Sequence, residues 1–360
     1  MKNIRIFFKN IYKYSIQWFF KTIYGSISHT SLNLLDTNVI IKKIVSTYLI
    51  NNNENYKIYK IINGQIFTDY VENVAIINNK KIVNDASFQQ IDGELKNAKF
   101  NCVISKGTPY FKKKFTGKIL SLTQGASGHK NYFHWLFDIL PKIKIFSEGY
   151  DLHSIDYFYL AQLKPYQKKT LKILELDHIK ILDCNKFRHV MGDQIFAVDH
   201  PWYKNGYISK EAKNLSNWII PWIREKFLDH SDYFDANEKI FLDRSESPYN
   251  HCQIENNDEV IELLNKKGFT SYKVGELSFE NQIHLFKNAK IIVGAHGAAF
   301  ANLAFCSPKT KVLEIKPIHH PNYVSETMGR INNLQVKIIE TPKFKNYNIN
   351  LDINELNKNL

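Results

Sequence analysis

Residues 290–305 read KIIVGAHGAAFANLAF, an apolar run followed by a glycine-containing loop and a second apolar segment. The run KIIV predicts a buried strand, and the segment after the loop predicts a short helix. Gly294 and Gly297 permit positive φ angles and close backbone approach, while the first N–H groups of a helix attract anions. The loop therefore predicts an α/β fold with an anion seat that includes His296 and Ala298. Tight packing of helix against sheet is the alternative reading of the loop alone.

Strands and helices alternate around this loop. Ser278 and Gly268 supply a helix N-cap and a helix stop between predicted strands. The predicted strands are 239–243, 269–274, 290–293 and 311–315, and the first two predicted helices are 258–267 and the segment after Ser278. Four strands joined by three helices predict a Rossmann-like domain with right-handed crossovers. We bound it at 239–342, followed by a C-terminal tail at 343–360.

The chain before residue 229 also predicts an α/β domain. Short apolar or β-branched runs from 56 to 123, including KFNCVIS at 99–105, predict strands, with a turn at Asn63–Gly64. Beyond them the predicted elements are a helix at 132–147, strands at 155–161 and 178–183, a helix opened by Pro165, and a long helix at 208–227. The polar segment 229–238 lacks an apolar period and predicts a linker, so the first domain spans 29–228.

Residues 1–28 mix basic residues with large apolar and aromatic ones. No apolar run approaches the roughly 20 residues that cross a bilayer, and no apolar block precedes a small-residue cleavage site. The segment predicts a basic amphipathic helix. It either lies on an anionic membrane surface or packs as an ordinary N-terminal helix.

Composition narrows the class of partner. The 360 residues carry 48 lysines and arginines against 35 aspartates and glutamates, a formal net charge of +13. This excess predicts attraction to polyanions or anionic lipid, with a generally basic surface as the alternative. RNA- and DNA-binding signatures are absent, which argues against nucleic acid. Four widely separated cysteines fit neither a disulfide framework nor a zinc cluster and favour a reducing cytoplasm.

The segment GHKNYFHWLFDILPK at 128–142 carries candidate catalytic residues. His134 and Asp138 are four residues apart, so they share one face of the predicted helix. A neutral histidine can accept the proton of a hydroxyl group, and a carboxylate can fix its tautomer. Asn131 and Trp135 are candidates for acceptor contacts, Trp135 as a stacking wall. A surface pair without function is the alternative, and a metal site here needs further ligands.

Two charged residues lie at the predicted carboxyl ends of strands. Arg244 follows strand 239–243 and can clamp phosphate, while Glu314 suits ribose hydroxyls. A solvated arginine, and a glutamate paired with Lys311 or Lys316, are the alternatives. The local pattern does not decide whether the tandem histidines at 319–320 line the site.

Five blocks together resemble glycosyltransferase family 61, including its bacterial capsular-polysaccharide members. The blocks are NYFHWLFDILP (131–141), Arg244, LSFENQI (277–283), GAHGAAFAN (294–302) and VLEIKP (312–317). By motif, His134 and Asp138 match the H-W-x-x-D block, His296 and Gly297 the G-x-H-G-A block, and Glu314 the block after it. The family often carries an arginine and an N-E pair where this chain has Gln253, Asn256 and Asn257, which leaves the donor open.

The resemblance implies the GT-B fold, two Rossmann-like domains facing across a cleft, with the donor nucleotide on the C-terminal domain. It implies an inverting transfer of sugar from a nucleotide-sugar to a saccharide acceptor, without metal or cofactor, in surface polysaccharide synthesis. Residues Arg244, Gly294, His296, Gly297, Ala298 and Glu314 then bind the donor. The alternatives are an inactive carbohydrate-binding component of the same fold, and a nucleotide-sugar epimerase or hydrolase.

Overall fold

A computed structural model describes most of the chain. The described residues are 2–29, 37–46, 48–51, 54–69, 74–91, 94–96, 98–125, 131–202, 209–210, 215–245, 251–318, 320, 324–342 and 347–360. The chain divides into two compact units. Unit 1 comprises Met1–Lys164 and Glu175–Lys210, and unit 2 comprises Pro165–Leu174 and Glu211–Leu360. The domain bounds drawn from the sequence stay predictions.

Unit 1 is built around a mixed sheet. Its strands are β1 (Val39–Lys43), β2 (Ile50–Asn51), β3 (Glu54–Asn55), β4 (Lys57–Ile62), β5 (Gln65–Thr68), β6 (Val74–Asn78), β7 (Lys81–Ile82), β8 (Gln89–Ile91), β9 (Glu94–Lys96), β10 (Lys113–Ser121), β11 (Tyr157–Leu160), β12 (Lys180–Asp183), β13 (His189–Val198) and β14 (Ser209–Lys210). Within the described residues, nine form one sheet in the order β12-β11-β10-β13-β5-β6-β7, with β4 beside β13 and β1 beside β4. The strands β10 to β13 pair in parallel, and the remainder pair antiparallel.

The predicted turn at Asn63–Gly64 does not reverse the chain. Both β4 and β5 pair with β13, with Ile62 opposite Gln194 and Gln65 opposite Met191. Asn63 has a φ of 51°, in the left-handed region that asparagine tolerates. The dipeptide therefore introduces a local break within one line of pairing.

The predicted strand at 99–105 is wrong, because this stretch forms helix α2 (Cys102–Lys106). The side-chain oxygen of Asn101 accepts a hydrogen bond from the Val103 N–H at 3.2 Å, and its amide donates to the Val74 carbonyl. Asparagine is a strong N-cap residue, and here the cap overrides the β-branched composition that follows it.

The predicted helix at 132–147 is confirmed, with an irregularity in the middle. It comprises α3 (Tyr132–His134), a π-helical turn (Trp135–Ile139) and α4 (Leu140–Ser147). Pro141 has no N–H to donate to the Phe137 carbonyl one turn earlier. That carbonyl instead accepts a hydrogen bond from the indole Nε1 of Trp202 at 3.1 Å. A proline-associated widening of the helix thus lies beside the candidate catalytic pair, where π turns are often found.

Unit 2 contains a wholly parallel sheet. Its elements are α5 (Pro165–Ile173), α6 (Ile219–Phe227), β15 (Lys239–Leu242), α7 (Asn257–Lys266), β16 (Thr270–Tyr272), α8 (Phe279–Asn288), β17 (Ile291–Ala295), β18 (Lys311–Pro317), α9 (Val324–Asn332), β19 (Gln335–Thr341) and α10 (Ile353–Asn359). The order is β16-β15-β17-β18-β19, with every neighbouring pair parallel. This 2-1-3-4-5 order reverses direction between β15 and β17, where open α/β sheets bind ligands at the strand carboxyl ends.

The four strands and the caps predicted for this half are confirmed. The Ser278 hydroxyl accepts from the Asn281 N–H at 3.1 Å at the start of α8. Gly268 has a φ of 80° and its N–H donates to the Asn265 carbonyl, which ends α7. The structure adds helix α9 and a fifth strand, β19, to the predicted domain. It also shows a helix, α10, in the predicted tail. A buried apolar cluster that includes Val260 and Leu264 holds α7 against the sheet.

The predicted long helix at 208–227 is wrong over its first half. Helix α6 begins only at Ile219, and Ser209–Lys210 forms strand β14; residues 211–214 lie outside the described part. Pro221 falls in the first turn of α6, where a missing N–H has no intrahelical partner to lose. Its position therefore marks the beginning of a short helix. Residues 230–237, in the predicted linker, form neither helix nor strand.

Helix α1 (Lys2–Tyr24) confirms the predicted N-terminal helix. Phe20 is buried near its end, while many large apolar side chains along it are exposed, including Phe7, Phe8 and Trp18. Across the described residues, every helix is either too short or too polar to cross a bilayer.

Candidate active site

A histidine and a carboxylate pair along one helix of unit 1. The Nδ1 atom of His134 lies 2.6 Å from Oδ2 of Asp138. Asn131 caps this helix, its side-chain oxygen accepting from the N–H groups of Phe133 and His134. The side chain of His134 is 23% exposed, whereas that of Asp138 is 1% exposed. The pair therefore presents an accessible imidazole on a buried carboxylate, as the i, i+4 spacing predicts.

The surroundings of Asp138 keep it ionised. Its Oδ1 accepts a hydrogen bond from Trp202 Nε1 at 2.7 Å and lies 3.7 Å from Nε2 of His200. Burial alone would raise the pKa of the Asp138 carboxyl, but the charges and hydrogen bonds of His134 and His200 outweigh it and hold the pKa well below its usual range. An ionised carboxylate only accepts hydrogen bonds, so the proton of a neutral His134 resides on Nδ1. Its Nε2 then carries the lone pair.

A buried cation lies one turn beyond Asp138 in sequence. The Nζ atom of Lys142 donates to the carbonyls of Leu122 and Gln124, at 3.2 and 2.6 Å. Burial lowers the pKa of the Lys142 ammonium to about 7, although the charge of Asp138 acts in the opposite direction. Burial likewise lowers the pKa of His200 to about 4. Lys142, His200 and Trp202 were not predicted from the sequence. Lys142 ends the segment 128–142, but its burial depends on tertiary packing, and His200 and Trp202 lie about 60 residues beyond Asp138.

The two predicted acceptor residues differ in position. Trp135 is fully buried, so its ring belongs to the core and the stacking role predicted for it is wrong in this conformation. Phe133 is partly exposed and stacks on Phe137, with centroids 4.9 Å apart. Asn131 is exposed at the helix N-terminus, and its contact with an acceptor stays a prediction.

A second histidine–carboxylate pair lies in unit 2. The Nδ1 atom of His296 lies 2.5 Å from Oε1 of Glu314, and the Ser325 hydroxyl donates to Oε2. His296 follows β17, and its N–H donates to the Ile315 carbonyl of β18 at 2.8 Å. Burial alone would raise the pKa of the Glu314 carboxyl, but the hydrogen bonds and charges of His296, Ser325 and Lys316 lower it. Both oxygens thus have protein partners, which favours orientation of His296 over the predicted contact with ribose.

Arg244 forms the floor of the glycine loop. Its Nη1 donates to the His296 carbonyl at 2.5 Å, and its Nη2 donates to the His251 carbonyl at 3.0 Å. A Cβ atom at Gly297 would lie 1.2 Å from Nη1 of Arg244. The φ of Gly297 is 172°, an extended value open to any residue. Neither Gly297 nor Gly294 adopts the positive φ angle that glycine permits.

The loop glycines instead permit close packing. A Cβ atom at Gly294 would lie 2.9 Å from the Cβ of Leu242 on the neighbouring strand. Ala298 begins a 3-10 helix, Ala298–Phe305, in the place of the predicted helix. Arg244 follows β15 and His296 follows β17, so both lie at the point where the strand order reverses. The structure thus brings together all six predicted donor-binding residues within unit 2.

Two further histidines lie beside this loop. The ring of His320 is centred 4.5 Å from that of His296 and 5.6 Å from that of His251. Burial lowers the pKa of His320 to about 4, and it lowers the pKa of His251 as well. The sequence signal for His320 was the tandem at 319–320; His319 itself lies outside the described residues.

The sequence profile of the family described as Glycosyltransferase 61 matches residues 132–313. This span begins two residues before His134 and ends one residue before Glu314, so it includes the catalytic candidates and the glycine loop. The chain belongs to glycosyltransferase family 61. Membership supports a transferase that acts on a sugar donor and a saccharide acceptor. Comparison with curated proteins gives no match.

The stretch where this family 61 member departs from the family pattern has structural partners. Asn256 holds the C-terminal segment, with its amide donating to the Leu351 carbonyl and its oxygen accepting from the Leu351 N–H, both at 2.9 Å. Asn257 donates to the Asp243 carboxylate at 3.2 Å. The Gln253 N–H donates to the side chain of Asn348 at 3.2 Å. Gln253 and Asn256 thus connect the loop after β15 to residues 348–351, and Asn257 binds Asp243, directly after β15.

Proposed function

We propose that this family 61 member is an inverting glycosyltransferase that uses a nucleotide-sugar donor and needs no metal for transfer. The His134–Asp138 pair carries the proposal. It combines an accessible imidazole, a buried ionised carboxylate and a fixed tautomer, which are the requirements of a general base. Surface pairs of this spacing ordinarily have two solvated partners, whereas Asp138 is buried and held by Trp202.

In the proposed reaction, Nε2 of His134 takes the proton of an acceptor hydroxyl. The hydroxyl oxygen forms a bond to the anomeric carbon as the bond from that carbon to the leaving phosphate breaks, and both electrons of the broken bond stay on the phosphate oxygen. In-line displacement inverts the anomeric centre. Asp138 stabilises the imidazolium that forms. Proton transfer to a positioned base of this kind raises the rate by about 10²- to 10⁴-fold.

Unit 2 supplies the groups for the leaving nucleotide in this proposal. Positive charge on Arg244, a hydrogen bond from Nε2 of His296 and the N–H groups that begin the 3-10 helix stabilise the departing diphosphate. Because Glu314 holds the proton on Nδ1, the hydrogen bond from Nε2 requires the doubly protonated ring of His296. Glu314 acts as a positioning residue, because it fixes the ring of His296 through Nδ1. The clustering of these groups at the strand-order reversal supports the assignment.

The family resemblance supports a GT-B arrangement of the two domains, with the acceptor on the first and the donor on the second. It also supports surface-polysaccharide synthesis with a saccharide acceptor, including a lipid-linked one. We extend the proposal to the cytoplasmic face of the membrane, on the basis of α1. Arg5, Lys9 and Lys13 are exposed along α1 beside exposed aromatic rings, a combination that favours binding to anionic headgroups.

Vesicle binding tests the membrane part. The wild-type chain is expected to sediment with vesicles containing phosphatidylserine, and Trp18→Ser is expected to weaken this. Trp18 is 71% exposed; the matched control is Tyr233→Ser, on a ring that is 82% exposed in unit 2. Equal sedimentation of the two variants would sink the assignment to α1.

Activity is tested by first finding the donor. UDP, GDP, CMP and their sugars are screened for a rise in melting temperature, since a ligand that binds only the folded state stabilises it. With the donor found, nucleotide release should be slow when the donor is alone, faster when an acceptor is added, and unchanged by excess EDTA.

Other outcomes of this assay identify the alternatives. Release that does not depend on any acceptor indicates a hydrolase. Donor binding without turnover indicates the inactive carbohydrate-binding alternative. Loss of activity in EDTA that Mg²⁺ restores overturns the metal-free mechanism.

A further inference from the structure

Three potential metal ligands converge beside the glycine loop of unit 2. They are the imidazoles of His251 and His320 and the thiol of Cys252, and one ligand atom from each lies within 4.8 Å of the others. The Nε2 atom of His251 is 3.9 Å from Sγ of Cys252. No ion is present. Within the described residues, no other group of three or more histidine, cysteine, aspartate or glutamate side chains has this spacing.

The backbone holds these side chains from two anchored segments. His251 is fixed through its carbonyl, which accepts from Arg244 Nη2. The residues after Cys252 pair with the C-terminal segment, where the Ile349 N–H donates to the Gln253 carbonyl at 2.8 Å. His320 is fixed at the end of β18 by its N–H, which donates to the Pro317 carbonyl at 3.0 Å. The segment that carries His251 and Cys252 and the segment that carries His320 are therefore anchored separately, and their side chains meet at one place.

The conformation of Cys252 is unusual for its residue type. Consecutive side chains of an extended chain point to opposite sides, yet those of His251 and Cys252 meet. Cys252 has a φ of 54°, a left-handed value that is costly for a residue with a Cβ. Such outliers persist where the surrounding structure enforces them, and they concentrate at functional sites.

The ligand chemistry favours a borderline-soft divalent cation. Imidazole nitrogen and thiolate sulfur bind Zn²⁺ at about 2.1 and 2.3 Å, and a tetrahedral ion keeps its ligands about 3.5 Å apart. The pair formed by His251 and Cys252 is already near that spacing. Mg²⁺ and Ca²⁺ require oxygen ligands, so this set does not suit them. Three protein ligands leave the fourth position of a tetrahedral ion open.

We propose that His251, Cys252 and His320 form a binding site for one Zn²⁺-class ion. Binding replaces the thiol proton, which is released to solvent, by a bond from Sγ to the metal. The ion joins the loop after β15 to the end of β18, next to His296. The proposed reaction contains no step on this ion. The inference is independent of the proposed reaction, and transfer in EDTA is compatible with it.

Cobalt titration of the full chain tests the site. After EDTA treatment and desalting, Co²⁺ is expected to produce the thiolate charge-transfer band and the visible bands of a tetrahedral complex at one equivalent, and Zn²⁺ is expected to abolish them. Cys252→Ser should remove the charge-transfer band. His320→Ala should weaken Co²⁺ binding by more than about tenfold, because one of three ligands is lost.

Two variants in unit 1 serve as controls. Cys102→Ser removes a partly exposed thiol, and His178→Ala disrupts a histidine pair whose rings are 5.3 Å apart. Both should keep the cobalt spectrum of the wild type. In parallel, Zn²⁺ should raise the melting temperature of the wild type and of both controls but not that of Cys252→Ser. A featureless titration of the wild type, or a charge-transfer band that persists in Cys252→Ser, overturns the proposal.

Discussion

The two units of this protein each contain a histidine held through Nδ1 by a buried carboxylate, but they assemble the pair differently. In unit 1, His134 and Asp138 come from one helix, 2.6 Å apart. In unit 2, His296 comes from the loop directly after β17 and Glu314 from the neighbouring strand β18, with Nδ1 and Oε1 2.5 Å apart. A third side chain, Trp202 or Ser325, binds the other carboxylate oxygen in each case. The same local chemistry thus arises from a helical repeat and from sheet register.

The surroundings separate the two pairs. His134 is 23% exposed and His296 is 12% exposed. Around the first pair, Asp138 is buried and ionised, and it accepts a hydrogen bond from Trp202. Around the second pair, Arg244 places a permanent positive charge against the His296 carbonyl. A base needs access to the substrate hydroxyl, whereas a phosphate site needs a positive field, and each pair has the surroundings that suit its proposed role.

Removing the first imidazole tests the comparison most severely. We expect His134→Ala to lower kcat by about 10²- to 10⁴-fold with little change in donor Kd, because it removes the proposed base and leaves the proposed donor site in unit 2 intact. Asp138→Asn should also lower kcat, since an amide can stabilise the opposite tautomer of His134. Steady-state kinetics and donor titration measure the two quantities. His153→Ala is the control, on a surface histidine of the same unit; wild-type turnover in His134→Ala would remove the assigned role.

The second pair should affect binding more than turnover. We expect His296→Ala to raise donor Kd by about 10- to 100-fold, through the loss of a hydrogen bond to a charged group. Glu314→Gln should have a smaller effect, because it leaves the ring in place and only loosens its orientation. The double variant should be no worse than His296→Ala alone if Glu314 acts through His296. Isothermal titration measures this, and additive losses would give Glu314 a separate contact with the donor.

The contact between Arg244 and Gly297 predicts a steric effect. Gly297→Ala places a Cβ atom in the volume of the Arg244 guanidinium. We expect it to lower the free energy of unfolding by about 1–3 kcal/mol, the usual cost of overpacking. In an Arg244→Ala background the same change should cost much less. Urea unfolding of the four proteins gives this cycle, and equal costs in both backgrounds would mean that Arg244 is not the obstacle.

These contrasts also explain how far the sequence alone leads. His134 and Asp138 were predicted as a pair because helix periodicity is local. His296 and Glu314 were predicted separately, because their pairing depends on the register of β17 and β18. Single residues with a strong local preference also gave correct predictions, as Ser278 did for the start of helix α8.

Errors in the sequence-based prediction came from competing signals. At 99–105, β-branched composition concealed the N-cap at Asn101. Trp135 reads as a surface aromatic beside His134, but the π turn and the packing of the helix bury it. Lys142 and Trp202 escaped prediction because their roles depend on tertiary position. Lys142 is four residues from Asp138, but nothing in the local pattern shows that it is buried, and Trp202 is 64 residues from Asp138.

Lys142 offers a test that is specific to unit 1 and that appears as a slope of stability against pH. Its pKa is about 7 in the folded chain and 10.5 when exposed, so between these values the unfolded chain binds one proton more. The free energy of unfolding therefore rises with pH across this window, by up to about 1.4 kcal/mol per pH unit, and below pH 7 the cost of the buried charge is fully present. Lys142→Met should lose this pH-dependent part of the free energy of unfolding while leaving the contributions of other groups. The difference between wild type and variant therefore isolates it.

Lys144→Met, on the same helix, controls for removal of one positive charge. Urea unfolding from pH 6.5 to 10 provides the measurement; a difference independent of pH would show that Lys142 keeps its proton throughout, stabilised beside Asp138 by the carbonyls of Leu122 and Gln124.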